Sequence, residues 1–442
     1  MLSKLGSASS GTWSREESSM AARGRDERDG ERGQILVMMV VGLLAFCAVV
    51  SVVADLGFFF DYRRRMQTGA DAAAMAGAKQ LRRDLMVETP QLAAAAHNGA
   101  ASNGFTNLVD GTHVTVNHPP LGGFYAGNNA FVEAIISQPR PTIFMGILGF
   151  QSATVSTRAV AGIMDSRNCI YALNATAPAA VQLSGGVQVN ANCGVVDDSN
   201  NGDALDENGG ACMTVTSTAV TGNYTGTCYT PTPKTNVPRE PDPLAGLAAP
   251  TFSSTCNYTN YQIKTAGTYT LQPGTYCGDS LNPAIAISGT GVVVTFQPGL
   301  YVLYGGGLTM SGGVINGTGV TFYNTVGPGH PYGPVSINGS VSGALSAPRS
   351  GSMEAMLFFQ DRAISSTSGD STVNGSSTLA LEGTLYFPTT RLKFAGGQSV
   401  AGAAAYTILS ADRIWFTGTS SLNDDFKNLP GGSPIRTVAL AE

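Results

Sequence analysis

Mixed polar residues at the N-terminus give way at Ile35 to an unbroken apolar run, "ILVMMVVGLLAFCAVVSVVA", which ends at Ala54. Its twenty residues carry no charge. At ~1.5 Å per helical residue they reach ~30 Å, the hydrocarbon thickness of a bilayer, so the pattern predicts a membrane-spanning helix. A buried core helix rarely sustains so long a run. A cleaved secretory signal has a shorter apolar core and a small-residue cleavage site, and no such site follows here. No proline occurs between Gln34 and Thr89, so one helix is free to continue well beyond the membrane. In "YRRRMQTGADAAAMAGAKQL", Tyr62–Leu81, three arginines are followed by little but alanine. Ala70, Ala73, Gly77 and Leu81 recur at spacings of three and four, a stripe of small side chains that lets a neighbour approach closely. That neighbour is either the chain's own next domain or another subunit; a plain alanine-rich spacer is the alternative. Asp61 with Arg65 and Gln67 with Asp71 stand four apart and support the helix. Asp71, a lone acid among alanines, must meet water or find a partner.

The pattern then changes period. Residues 91–164 alternate β-branched and polar positions (Val114, Val116; Val132, Ala134, Ile136) around an apolar segment, Ile143 to Phe150. They predict a small α+β domain packed on the end of the long helix. Residues 165–442 consist of short β-rich pieces separated by Gly/Asn/Ser turns, and "SGTGVVVTF" returns as "NGTGVTFY". Such spacing predicts the stacked coils of a right-handed β-solenoid, with a β-sandwich as the alternative. The proline-rich stretch 230–250 cannot occupy central strands and should be an extended surface connection. Residues 1–32 lack periodicity and read as a disordered tail, in which Met20 is an alternative start. The expected fold class is thus α+β: a transmembrane helix extended by an Ala-rich helix over 33–90, a small head, and a mostly-β C-terminal domain.

Charge excludes little. A net charge of −5 and 12% charged residues give no reason to expect nucleic acid, and 55 glycines suit a β protein of the exterior. Six basic residues flank the span on each side, so the positive-inside count is nearly tied. Cysteine decides the orientation. Cys47 lies in the span, while Cys169, Cys193, Cys212, Cys228, Cys256 and Cys277 all follow it. An even number in a Gly/Ser-rich region, with no CxxC or Cys/His cluster, reads as disulfides in an oxidising compartment rather than zinc. The tail is then cytoplasmic and the bulk of the chain outside. Six cysteines allow fifteen pairings; sequential neighbours (169–193, 212–228, 256–277) are the simplest.

The residues after the span have a specific resemblance. Asp55, Tyr62, Arg65, Gln67 and "ADAAAMAGA" (Ala70–Ala78, with Asp71, Ala74 and Gly77) resemble the N-terminal module of TadE/TadG-like Tad/Flp pilus-assembly proteins. Their usual pattern reads roughly D-x-G-x-x-Y-x-x-R-x-x-Q-x-x-A-D-A-A-A-L-A-G-A; Met75 stands where leucine is usual. The match covers about residues 33–85. "ATVSTRAVAGI" is similar to the strand that closes the small extracytoplasmic domain of these proteins. The resemblance implies a single-pass protein of the bacterial cytoplasmic membrane, structural rather than enzymatic, whose partners are the bilayer and other pilus-assembly proteins, with a role in surface attachment; a polysaccharide-binding or polysaccharide-active solenoid is an alternative that rests on the β-coil pattern. A pilin-like subunit cut near Gly33 is an alternative, but Met38 stands where pilins carry a glutamate.

Candidate chemistry elsewhere is thin. Asp361–Arg362, Asp412–Arg413 and Asn423–Asp425 offer carboxylates beside strands, as polysaccharide-active solenoids do, yet no two fall on one face by pattern. Asp197, Ser199, Asn201 and Asp203 imitate the opening of a calcium loop, but Asn208 stands where its bidentate acid belongs. Asx-rich coil corners explain the same residues. No cofactor is implied.

Overall fold

A computed structural model describes residues 17–83, 88–143, 145–374, 379–395, 404–430 and 432–442. Two compact units emerge: residues up to Ile163 together with Val438–Glu442, and Met164–Thr437.

In the first unit, helix α1 runs from Glu17 to Arg83 without a break. It begins inside the stretch expected to be a structureless tail; residues 1–16 lie outside the described residues. Among the described residues α1 is the one helix long and apolar enough to cross a membrane. Its large apolar side chains are exposed from Ile35 as far as Phe60, with Val52 and Phe59 half-buried. Burial of apolar side chains starts at Met66 and follows one face through Ala70, Ala73, Ala74, Ala78 and Leu81, all fully buried. Helix α2, Pro90–Ala101, starts with proline at its first turn, where a missing N–H costs nothing, and buries Leu92, Ala96 and Ala100. Strands β1 (His113–Asn117), β2 (Phe131–Pro141) and β3 (Ser152–Asp165) pair antiparallel in that order. Their inward side chains Val114, Val132, Ala134 and Ile136 share one core with α1 and α2, as the alternation predicted. The last strand, Arg436–Leu440, lies on the other edge of β3. The expected 165–442 unit therefore gives up its final residues. Everything between β3 and that strand is an insertion in sequence.

The second unit is a β-solenoid of about ten turns. On its main face the strands follow Thr218–Val220, Gly194–Asp197, Asn168–Ala172, Thr407–Phe416, Leu379–Ala395, Met356–Gln360, Val320–Thr325, Gly299–Tyr304, Gly274–Cys277 and Tyr258–Thr259, all parallel. Stacking order is not chain order. The chain enters mid-stack, builds outward to one end, returns to the far end and winds back until the coil of Thr407 sits on the coil of Asn168. Entry and exit thus meet, with the Ser166 N–H donating to the Ile435 carbonyl at 2.9 Å. Where aromatic residues lie in register, like stacks on like: Tyr258 on Tyr276, and Tyr301 on Phe322 on Phe358. Tyr276 and Phe358 also reach Tyr301 and Phe387, each offset two residues from its register partner, so Tyr258, Tyr276, Tyr301, Phe322, Phe358 and Phe387 form one continuous ring column at centroid spacings of 4.6, 6.0, 5.5, 5.1 and 6.4 Å.

Val320–Thr325 and Met356–Gln360 are buried along their whole length, although a solenoid strand should expose alternate residues. The proline-rich connection explains this. It crosses the coils one after another as a strap. The Glu240 N–H meets Asp198 (2.9 Å), Asp242 accepts from the Tyr386 hydroxyl (2.5 Å), and the carbonyls of Leu244 and Leu247 accept from Arg362 (2.6 and 2.9 Å). Phe252 then packs on Tyr304 and Tyr323. The strap covers a second aromatic row, Tyr304, Tyr323, Phe359 and Tyr386, and burial pushes the Tyr323 phenol up to about 12.

Candidate functional site

The stripe of small residues fits the chain's own head. An added Cβ at Gly77 would stand 2.9 Å from Val132 Cγ1, and one at Gly99 2.6 Å from the Ala72 carbonyl oxygen. Ala74 is fully buried beside them. Alanine and glycine are needed here because α2 approaches the backbone of α1 and the Val132 side chain of the sheet presses on Gly77. The spacer reading fails at this point, and the neighbour is intramolecular.

The remaining motif residues tie the helix to the sheet at three levels. At the lowest, Asp55 is buried (2% exposed), and its carboxylate accepts the Ile143 N–H (3.1 Å) and the Met145 N–H (2.7 Å) from the β2–β3 connection. Above it, the Tyr62 hydroxyl donates to Gln138 Oε1, its ring stands edge-on to Phe105 at 5.9 Å, and the Arg140 guanidinium lies 4.0 Å over its face. At the third level Gln67 Nε2 donates to both Asp71 Oδ1 (2.8 Å) and the Arg158 carbonyl (3.0 Å). Asp71 therefore orients Gln67, which reaches β3. Among the described residues Arg65 pairs with Asp61 at 2.9 Å, and both are exposed.

Pattern reading missed Gln138, Arg140 and a charged cluster on the sheet. Glu133, 2% exposed in an apolar strand, accepts from Arg158 and from Asn117, and Arg158 also pairs with Glu442. Burial pushes the Glu133 carboxyl up, but hydrogen bonds from Asn117, Arg158 and the Leu121 N–H outweigh this and hold it below the usual range. The signal was present: one acid inside "FVEAIIS" and one arginine inside "VSTRAVAG". Glu442 also accepts the Phe124 N–H at 2.7 Å, which locks the edge strand in place.

In the solenoid the three sequential disulfides are formed, Cys169–Cys193, Cys212–Cys228 and Cys256–Cys277. The first two join adjacent coils; the third fastens the end of the strap. The calcium-like residues do not converge. Asp197 Oδ1 accepts the Ser199 N–H (3.0 Å), Ser199 Oγ donates to the Ala177 carbonyl (2.6 Å) and accepts the Asn201 N–H (3.2 Å), and Asn201 Oδ1 accepts the Asp203 N–H (3.1 Å). These are successive coil-corner turns. Asp197 is fully buried, which raises its carboxyl to about 7, while the Ser199 N–H works against the rise. Burial lifts the neighbouring Asp198 to about 6. Among the described residues one group of potential metal ligands lies within mutual reach, Cys256, Cys277 and His330, but its two sulfurs are bonded to each other. The acid–base dipeptides are structural too. Asp361 accepts from Thr325 (2.6 Å), Arg362 holds the strap, and Asp412 accepts from Asn174 (2.8 Å) and pairs with Arg413.

Comparison with known proteins agrees with this geometry. Residues 33–80 match the Tad family, described as Flp pilus-assembly TadE/G-like, and residues 72–161 match Tad_C, described as Tad-like Flp pilus-assembly. The two matches overlap over residues 72–80 and together cover α1 beyond its start, α2, β1, β2 and most of β3. No curated protein and no solved structure matches the chain.

Proposed function

We propose that this chain is a membrane-anchored extracytoplasmic component of a Tad/Flp-type pilus-assembly system, with a structural role. The observation that carries the reading is the coincidence of the two family matches with the helix–head junction, where Asp55, Tyr62, Gln67, Asp71, Ala74 and Gly77 all have packing or hydrogen-bonding work. Residues 35–54 would hold the chain in the cytoplasmic membrane, N-terminus inside. Three disulfides support an oxidising compartment for the solenoid. The junction would keep the head in a fixed relation to the membrane, and the solenoid would present an extended surface to pilus components or a surface glycan. The neighbour of the alanine stripe is already the head, so partners must bind elsewhere.

The test is a tagged full-length chain expressed in a cell that assembles this pilus. It should partition with membranes, copurify with pilus-assembly proteins, and place a C-terminal reporter outside the cytoplasm. A reporter active only in the cytosol would overturn the assignment, and recovery in sheared filaments as a shortened chain would favour the pilin-like reading.

A further inference from the structure

The apolar surface of α1 does not stop at Ala54. Leu56, Phe58 and Phe60 are 47, 61 and 66% exposed, so an unpartnered apolar surface reaches Phe60. From Ile35 that is 26 helical residues, or ~39 Å at 1.5 Å each, more than the ~30 Å of hydrocarbon. Asp55 lies five residues inside this surface, roughly 7 Å below Phe60 along the helix. An acid at that depth is costly unless something covers it. The covering element is the β2–β3 connection, whose Ile143 and Met145 N–H groups donate to both carboxylate oxygens. The connection is therefore fixed at the depth of Asp55.

Two further features suit that depth. It presents large apolar side chains outward: Ile143 and Phe150 are 60 and 63% exposed, with exposed Gln151 at its β3 end. Five of its backbone donors have partners: besides the two that meet Asp55, Thr142 N–H donates to the Gln151 carbonyl, Gly149 N–H to Gly146 and Phe150 N–H to Met145, each at 3.1 Å. Irregular backbone is tolerated in a low-dielectric layer only under that condition. Just above stand the exposed Arg63 and Arg64 on α1, at the level where cations suit lipid phosphates.

We infer that the β2–β3 connection is a second membrane contact, a shallow apolar wedge seated in the leaflet nearest the head, with Asp55 as the buried pin that holds it to the spanning helix. The occupant of this surface is the same bilayer that holds the span, because the two apolar surfaces are continuous on one unit. The head would then be attached to lipid at two points and could not swivel about α1. This rests on the membrane-anchor reading above.

The experiment uses the full chain with Cys47 changed to Ala, reconstituted in vesicles of phosphatidylethanolamine and phosphatidylglycerol. Single cysteines labelled with an environment-sensitive fluorophore are placed by Phe46→Cys, Phe150→Cys and Leu121→Cys, and quenched by spin-labelled lipids of known depth. Leu121 is 78% exposed at the opposite end of β2, an 11-residue strand of ~35 Å. The label at 46 should be quenched by deep spin labels, the label at 150 by shallow ones with blue-shifted emission, and the label at 121 by neither. Adding Asp55→Ala should abolish most of the quenching at 150 and leave that at 46 intact. Quenching at 46 without quenching at 150 overturns the wedge and spares the anchor. Absence of quenching at 46 overturns the anchor itself.

Discussion

The carboxylate of Asp242 and the hydroxyl of Tyr386 lie 2.5 Å apart across 144 positions of sequence, and the Arg362 guanidinium closes the group by donating to the same hydroxyl at 2.8 Å. This is where the strap is fastened at mid-stack. Arg362 also binds two strap carbonyls and lies 5.1 Å over the rings of both Phe359 and Tyr386. Arg362→Ala removes all of these at once and opens the covered aromatic row. It should cost ~3 kcal/mol, the upper range for buried charge-assisted hydrogen bonds. Asp242→Ala should cost ~1–2 kcal/mol. Hydrogen exchange should show amides of 240–250 losing protection before those of Val320–Thr325; equal loss in both would mean the strap has no stability of its own.

A lysine in place of Arg362 keeps the charge but not the fork that reaches both Leu244 and Leu247. Arg362→Lys should therefore recover less than half of the lost stability in chemical denaturation. Full recovery would show that charge alone, not the planar fork, holds the strap.

How much of this was legible depends on whether the signal is local. The alanine stripe was, because close packing at Ala70, Ala73, Gly77 and Leu81 imposes helical spacing on the sequence itself. The disulfides were, because one coil takes about twenty residues, so cysteines on stacked coils fall 16 to 24 apart. The coil order was not. Parallel stacking of Leu409 on Ile170 leaves no turn between them to read. The function of Asp55 was hidden for the same reason: its donors lie 88 and 90 positions away and are backbone groups, which carry no side-chain signature.

The cysteine assignment has a direct chemical check. The chain has seven cysteines, of which six are bridged and Cys47 is free. Denatured protein without reductant should titrate one thiol, rising to seven after reduction. Cys256→Ser with Cys277→Ser should lower stability by ~3 kcal/mol, since that bridge closes a loop of 21 residues. Seven thiols before reduction would place the solenoid in a reducing compartment and contradict the proposed topology.

Gly99 tests the helix–helix contact. In an exposed helix, glycine to alanine gains up to ~1 kcal/mol. Here the new Cβ would meet the Ala72 carbonyl oxygen, a backbone atom that cannot rotate away. Gly99→Ala should instead destabilise the head by ~1–3 kcal/mol, read as a lower unfolding midpoint with the solenoid transition unchanged. A gain would show that the two helices are free to separate.

Asp197 gives the chain a pH dependence of definite sign. Its carboxyl is raised from 3.8 to about 7 by burial, so between these values the folded state holds a proton that the unfolded state has released. Stability therefore falls as pH rises from about 4 to about 7, then levels off with the charge buried. At ~1.4 kcal/mol per pH unit the penalty approaches ~4 kcal/mol, a ceiling that relaxation of the coil corner would lower. Asp198, raised to about 6 by burial against the Glu240 N–H and Arg239, adds to the same slope. Asp197→Asn keeps an oxygen for the Ser199 N–H and removes the charge. The variant should be more stable than the parent at pH 8, with the advantage shrinking toward pH 4 in denaturant titrations. An advantage independent of pH would show that the carboxylate is not the source of the slope.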